Sequence, residues 1–209
     1  MADIEIYGAR QSTYVRIAWM TCEEKNAPYV IHPAAPHSAV VLAIHPFGRI
    51  PVMRHGDVEL FESKAIATYI DRTFEGPMLI PADAYGAARV EQWVSVVNTT
   101  IEPTWVRYFR AHVFPKGPNG TPDAAVIKEQ LGPMSDQIGV LDKAVGQTGF
   151  LAGSAFTLAD ITLFPILHYL HQFPESLEMV KRAARLEAYY QHHATRPSVT
   201  ATSPPPLGT

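Results

Sequence analysis

A chain of 209 residues, 47% of them hydrophobic, holds enough apolar material for one large domain or two small ones, each with its own core. Seventeen Lys and Arg against 20 Asp and Glu leave a formal net charge of -3 with no run of like charge, so nothing draws the protein onto nucleic acid. The single cysteine, Cys22, excludes an intramolecular disulfide and a cysteine-rich zinc site, and the early acids of MADIEIYGARQS read as neither signal peptide nor membrane anchor, so a cytoplasmic location is expected.

Ile4 to Tyr7 alternate acidic and apolar side chains and stop at Gly8, which predicts a short strand ending in a tight turn. Ser12 is a good N-cap for a helix whose apolar face is Val15, Ile17, Ala18, Met20 and Cys22 and whose end is Glu23-Glu24-Lys25-Asn26. Pro28 stops the helix, and Tyr29 to His32 reads as a second, parallel strand, giving a βαβ opening. Pro33 to Pro46 reads as a loop with a short helix over the apolar stretch Ala39 to Ile44. Ile50-Pro51-Val52-Met53, a His55-Gly56-Asp57 turn and Val58 to Phe61 form a hairpin. Glu62-Ser63 then opens a helix striped with Ala65, Ile66, Tyr69 and Ile70.

Gly76, Pro77, Pro81 and a helix-starting Asp83 mark the one linker in the chain. Only helices follow: Tyr85 towards Phe114, Asp123 to Val145, Thr157 to Leu170 and Leu177 to His193. Thr157-Leu158-Ala159-Asp160 reads as a capping box with Asp in place of Glu, and Phe156 with Ile161 as its staple, so Asp160 is assigned a structural role. The tail from about residue 200, with Pro204-Pro205-Pro206, is expected to fray. The expected organisation is a thioredoxin-like α/β domain over residues 1–78, a linker over 79–86 and an all-α helical domain over 87–209.

Four stretches, taken together, carry a resemblance. They are Tyr7-Gly8 through Ser12 and Arg16 to Glu24-Lys25-Asn26; His45-Pro46-Phe47-Gly48-Arg49-Ile50-Pro51 continued by Gly56-Asp57 and Leu60-Phe61-Glu62-Ser63; Gln92-Trp93 with Glu102-Pro103; and Leu151-Ala152-Gly153 through Asp160 to Arg196-Pro197. Over nearly its whole length the chain resembles the soluble glutathione transferases, most closely the phi class and its serine-type bacterial relatives. The second stretch is the most specific, being close to the family's Asn-Pro-x-Gly-x-Val-Pro. The resemblance implies glutathione as co-substrate, no metal, a two-fold homodimer and no nucleic-acid or membrane partner.

The chemistry implied is thiolate stabilisation. With a pKa of about 8.5, like free cysteine, glutathione's thiol would be only about 3% ionised at pH 7. Lowering that pKa by ~2 units raises the thiolate fraction to roughly three quarters and requires about 2.7 kcal/mol. A charge-assisted hydrogen bond contributes about 1.5–3 kcal/mol, and a helix N-terminus up to ~2 kcal/mol. By itself Ser12 reads as a plain cap; the resemblance makes it the catalytic hydroxyl. Pro51, on the residues alone an edge-strand proline, becomes a cis proline that turns the Ile50 backbone towards the cysteinyl part of glutathione. Glu62-Ser63, otherwise an acid answering a helix dipole, becomes the site for the γ-glutamyl end. His37 falls near the family's glycine-end position. Arg49, where the family often has glutamine, is either a ligand for a carboxylate or a solvated loop charge. His45 replaces the usual asparagine and leaves that turn's internal hydrogen bonding open.

An aromatic-rich segment, Trp105, Tyr108, Phe109, Arg110, His112 and Phe114, is expected to wall the electrophile site together with Thr13, although aromatics at helical spacing are more often core than pocket. Arg110 stands where phi enzymes tend to carry an aromatic and suggests a polar or anionic electrophile. His168 and His171 have no acid or cysteine beside them for a metal, and Cys22 on an apolar helix face argues against a thiol-transfer mechanism. The favoured activity is conjugation of glutathione to an electrophilic, largely apolar small molecule. Isomerisation, ether cleavage, dehalogenation and peroxide reduction begin with the same thiolate, and a non-catalytic glutathione-binding module is the alternative outside enzymes.

Overall fold

The computed structural model describes residues 3–114 and 117–207. The chain forms two compact units, residues 3–80 together with Ala194–Leu207, and Pro81–His193.

The first unit contains β1 (Ile4–Tyr7), α1 (Thr13–Glu24), β2 (Tyr29–His32), α2 (Ala39–Ile44), β3 (Val52–His55), β4 (Val58–Phe61) and α3 (Ser63–Thr73). The sheet order is β2-β1-β3-β4, with β1 parallel to β2 and the other pairs antiparallel. Alternation along β1 turns Ile4 and Ile6 into a core with Val15, Ala18, Trp19 and Cys22 of α1, Met53 of β3, and Ile66 and Ile70 of α3. The hairpin strand starts at Val52 rather than Ile50, because Pro51 has no N–H to give a ladder; His55 pairs with Val58, leaving Gly56-Asp57 as the turn.

Two results depart from the sequence expectation in this unit. Leu79 and Ile80 are tied down, since Asp71 of α3 accepts from both backbone N–H groups (3.0 and 3.1 Å) and pairs with the buried Lys25 ammonium at 3.1 Å. The tail is not frayed at residue 200 either. It forms α10 (Pro197–Ala201) and packs with the first unit, because α1 buries two polar side chains whose partners lie there. Arg16 donates to the Val199 carbonyl (3.1 Å), and Glu24 receives the Arg196 guanidinium at 2.6 and 2.7 Å and the Ser198 hydroxyl. A buried charge is tolerated only when paired and hydrogen-bonded, which accounts for the order of this segment.

Cys22 is fully buried on α1, and burial pushes its thiol up to about 12. Its folded value lies above the ordinary 9.0, so its contribution to stability is complete below pH 9 and is lost as pH rises towards 12. Ellman's reagent is expected to leave the native protein unlabelled at pH 8 and to react with one thiol per chain in denaturant; rapid native labelling would contradict this burial.

The second unit consists of α4 (Ala84–Val96), a π-helical turn (Val97–Ile101), α5 (Glu102–Val113), α6 (Ala124–Val145), α7 (Leu158–Leu170), α8 (Pro174–Arg182) and α9 (Ala184–Ala194). The helix expected from Tyr85 to Phe114 is thus interrupted. Pro103 lacks an N–H and its ring would meet the Thr99 carbonyl in an α-register, and the wider turn avoids that contact. The last long helix divides at Ala183 into α8 and α9. Asp142 of α6 accepts from the Arg185 and Leu186 N–H groups at 2.9 and 3.0 Å, capping α9 from outside its own sequence. The capping box at Thr157 and Asp160 is present as expected, with Phe156 and Ile161 both buried.

Candidate active site

Strand register brings the expected glutathione residues to one end of the first unit's sheet. Tyr7 pairs with Val52, and Val52 with Phe61, so the segment leaving β1, the segment entering β3 and the segment leaving β4 meet there. Gly8 marks how closely they meet. A Cβ on it would lie 2.4 Å from Val15 Cγ2 and 3.4 Å from Ile50 Cβ, so glycine is required for the first turn of α1 to sit against Ile50.

Ser12 is the N-cap of α1, extended at φ -72 and ψ 127, and its hydroxyl oxygen accepts from the Val15 N–H at 3.4 Å. A hydroxyl has two lone pairs and one hydrogen. The cap uses a lone pair, leaving the hydrogen for a thiolate, and the helix N-terminus adds its positive end to the same place. Capping and thiolate stabilisation are therefore compatible uses of one side chain.

The Ile50-Pro51 peptide is cis, as expected, and among the described residues no hydrogen bond involves the Ile50 backbone. Its N–H and C=O are available to an extended peptide. The preceding turn is well satisfied despite the missing asparagine: the buried His45 accepts the Phe47 N–H on Nδ1 at 3.1 Å, and the Gly48 N–H donates to the His45 carbonyl at 3.0 Å. His37, with φ 63, donates its N–H to the Gly48 carbonyl at 2.8 Å and lays its ring where a Cβ on Gly48 would be. The fold thus gathers His37 and exposed Arg49 beside the proline loop.

Glu62 precedes α3 at φ 68 and ψ 117, a backbone conformation that costs a non-glycine residue about 1–3 kcal/mol. Its carboxylate lies 3.5 Å from His45 Nε2 and is 64% exposed. Ser63 is buried at the first position of α3, and Glu62, the N-cap residue, makes no side-chain cap bond, so the positive end of the helix is offered to an incoming carboxylate. Replacing Glu62 by glycine is expected to raise stability by about 1 kcal/mol through relief of strain, while weakening glutathione binding about 10-fold. Thermal melts and calorimetric titration test both; a loss of stability would show that the backbone there is unstrained.

The expected electrophile residues divide. Trp105 and Tyr108 are a correction: both lie in the aromatic core of the second unit, 4% and 0% exposed. Trp105 packs on Phe109 and Tyr169, and the Tyr108 hydroxyl donates to Glu175 (3.1 Å) with the Ser176 hydroxyl also in hydrogen-bond contact at 3.3 Å. Tyr108, whose hydroxyl is satisfied internally, is structural, whereas Trp105 is held by ring packing, its buried Nε1 having no hydrogen-bond partner among the described residues. Thr13 is also buried. Arg110 is exposed and lines a pocket with Phe114, also one of the expected wall residues, and with Arg107, which the sequence did not single out. His171 is held by the Leu167 carbonyl and Glu187, and His168 by Gln172; among the described residues no group of three His, Cys, Asp or Glu side chains is placed to hold a metal ion.

Comparison with known proteins agrees with this architecture. A family model described as glutathione S-transferase, N-terminal domain, matches residues 6–78, and one described as glutathione S-transferase, C-terminal domain, matches residues 124–192. Glutathione S-transferase 3 of Zea mays is 32% identical, with 97% of this chain and 94% of that protein covered. Among solved structures, glutathione S-transferase III in apo form is 30% identical at a TM-score of 0.85, covering 98% of this chain and all of the other. Glutathione S-transferase I from mais, in complex with an atrazine glutathione conjugate, is 25% identical at a TM-score of 0.87 with 96% of each chain covered. The thioredoxin-like plus helical fold expected from the sequence is the fold of these proteins.

Proposed function

The chain belongs to the glutathione S-transferase family, with phi-class plant relatives, and we propose that Ser12 is the hydroxyl with which it stabilises the glutathione thiolate for attack on an electrophilic small molecule. The observation that carries this is the convergence of three free polar groups at one sheet end: the Ser12 hydroxyl hydrogen, the Ile50 backbone and the uncapped start of α3. Extended along them, the tripeptide lays its cysteinyl backbone on Ile50-Pro51. Its γ-glutamyl carboxylate meets Ser63 and the α3 N-terminus, and its ammonium meets Glu62. His37 and Arg49 take the glycine carboxylate. The sulfur then points at Ser12, whose O–H donates to it, and the ionised sulfur forms a bond to carbon as the electrophile's leaving group departs.

The test is thiol specificity. With 1-chloro-2,4-dinitrobenzene as electrophile, glutathione should be conjugated at least about 100-fold more efficiently than cysteine methyl ester, which lacks the γ-glutamyl and glycyl ends. Equal efficiencies would mean that the tripeptide contacts assigned here do not operate.

The active form is a homodimer, and the location is cytoplasmic, in keeping with a single buried thiol. Phe47 supports the dimer. It is 72% exposed on the proline loop, next to His45, which in turn packs on half-exposed Phe61, and this leaves apolar surface for a second copy to cover. Phe47→Asp is expected to shift sedimentation at micromolar concentration from dimer to monomer; an unaltered dimer would place the interface elsewhere.

A further inference from the structure

A single buried ring joins two of the segments from which the candidate site is built. His45, 2% exposed, is the C-cap of α2 and begins the turn that leads to Ile50-Pro51. Its ring packs on Phe47 of that turn, at 6.2 Å between centroids, and on Phe61 at the end of β4, at 4.7 Å. The two ring nitrogens point to different segments. Nδ1 accepts the Phe47 N–H at 3.1 Å, so the neutral ring carries its hydrogen on Nε2, and Nε2 lies 3.5 Å from Glu62 Oε1.

Burial decides which of the two side chains sets the position of the other. The imidazole is packed between Phe47 and Phe61, whereas the Glu62 side chain is 64% exposed and has no other side-chain partner among the described residues. A buried ring N–H left without an acceptor is costly, and a carboxylate loose in water samples several rotamers, so the fixed ring orients the free acid. The backbone of Glu62, at φ 68, is a conformation that persists where the surroundings over-determine it. With Oε1 turned to the ring, Oε2 is left for a cation.

We infer that His45 is a positioning residue for glutathione. Through Nδ1 it shapes the turn that presents the Ile50 backbone, and through Nε2–H it aims the Glu62 carboxylate at the ammonium of the γ-glutamyl end. One ring thereby keeps two parts of the tripeptide site in register before the ligand arrives, which removes part of the ordering cost of binding. This deepens, and rests on, the reading of Glu62 as the ammonium site.

The experiment separates the two nitrogens. In His45→Asn the amide oxygen can still accept the Phe47 N–H, as Nδ1 does, but the side chain is too short to reach Glu62; in His45→Gln the amide nitrogen can stand in for Nε2–H while the turn loses its acceptor. Calorimetric titration compares glutathione with its deamino analogue, glutaryl-cysteinylglycine, which lacks only the ammonium. His45→Asn should weaken glutathione about 5-fold and leave the analogue unchanged, with little change in the melting temperature. His45→Gln should weaken both compounds and keep the wild-type ratio between them. In a Glu62→Gln background, His45→Asn should no longer alter that ratio. If His45→Asn weakens both compounds alike, or neither, His45 serves the turn alone and the inference is overturned. If the wild type binds the two compounds equally, the ammonium site at Glu62 itself fails, and the role of His45 falls with it.

Discussion

Replacing Ser12 by alanine is expected to lower conjugation at pH 7 by about 25-fold or more, with little change in glutathione affinity. The figure follows from ionisation alone. Returning the bound thiol from a pKa near 6.5 to about 8.5 cuts the thiolate fraction from roughly three quarters to ~3%. Ile50, Pro51, Glu62 and Ser63 still hold the tripeptide in the variant, so the loss should fall on kcat. It should also shrink as pH rises, because above about pH 9 the unassisted thiol ionises by itself. Losing the cap of α1 costs about 0.5–2 kcal/mol of stability, so a melt must accompany the kinetics. Steady-state rates from pH 6 to 9 check the result, and a deficit that stays constant across that range would remove ionisation as the cause.

The largest effect on stability is expected at Asp160, far from any reacting atom. Its carboxylate is fully buried and receives four hydrogen bonds: from the Leu151 N–H at 2.8 Å, the Thr157 N–H at 2.8 Å, the Thr157 hydroxyl at 2.9 Å and the Tyr189 hydroxyl at 2.9 Å. One side chain thereby closes the loop before α7, caps α7 and ties it to α9. Burial pushes the carboxyl above its ordinary value even though all four donors pull it down, a sign of how dry the position is. Asp160→Ala leaves those donors in an apolar surround and should cost about 3–5 kcal/mol, whereas Thr157→Ala, which removes only part of the box, should cost about 1–2 kcal/mol. Urea unfolding measures both. A loss at Asp160 below about 1 kcal/mol would mean that water replaces the missing oxygens.

Local rules read much of this molecule from its residues. The expected helix starts at Ser12, Asp83 and Thr157 each cap a helix, and alternation in β1 with the turn residues around the other strands placed all four to within two residues. What sequence missed was set by partners distant along the chain. Nothing near Ala183 breaks a helix; Asp142, about forty residues earlier, does so by capping α9. The order of the tail comes from Arg16 and Glu24 of α1, whose burial no local pattern announces. The candidate site was legible only through the resemblance: on the residues alone Ser12, Pro51 and Glu62-Ser63 read as a cap, an edge-strand proline and an acid at a helix start, and strand register is what brings their segments to one sheet end. Trp105 and Tyr108 were misread because a helix in an all-helical unit is aromatic on its core face, and helical spacing does not say which face that is.

The central claim is that Ser12 lowers the pKa of bound glutathione. The ultraviolet absorbance of the thiolate, titrated against pH with saturating glutathione in the wild type and in Ser12→Ala, tests it without an electrophile. The wild-type band should titrate near pH 6.5 and that of the variant near 8.5, a separation of about two units. Coincident curves near the free-thiol value would show that the protein binds glutathione without activating it, and the catalytic role given to Ser12 would be contradicted.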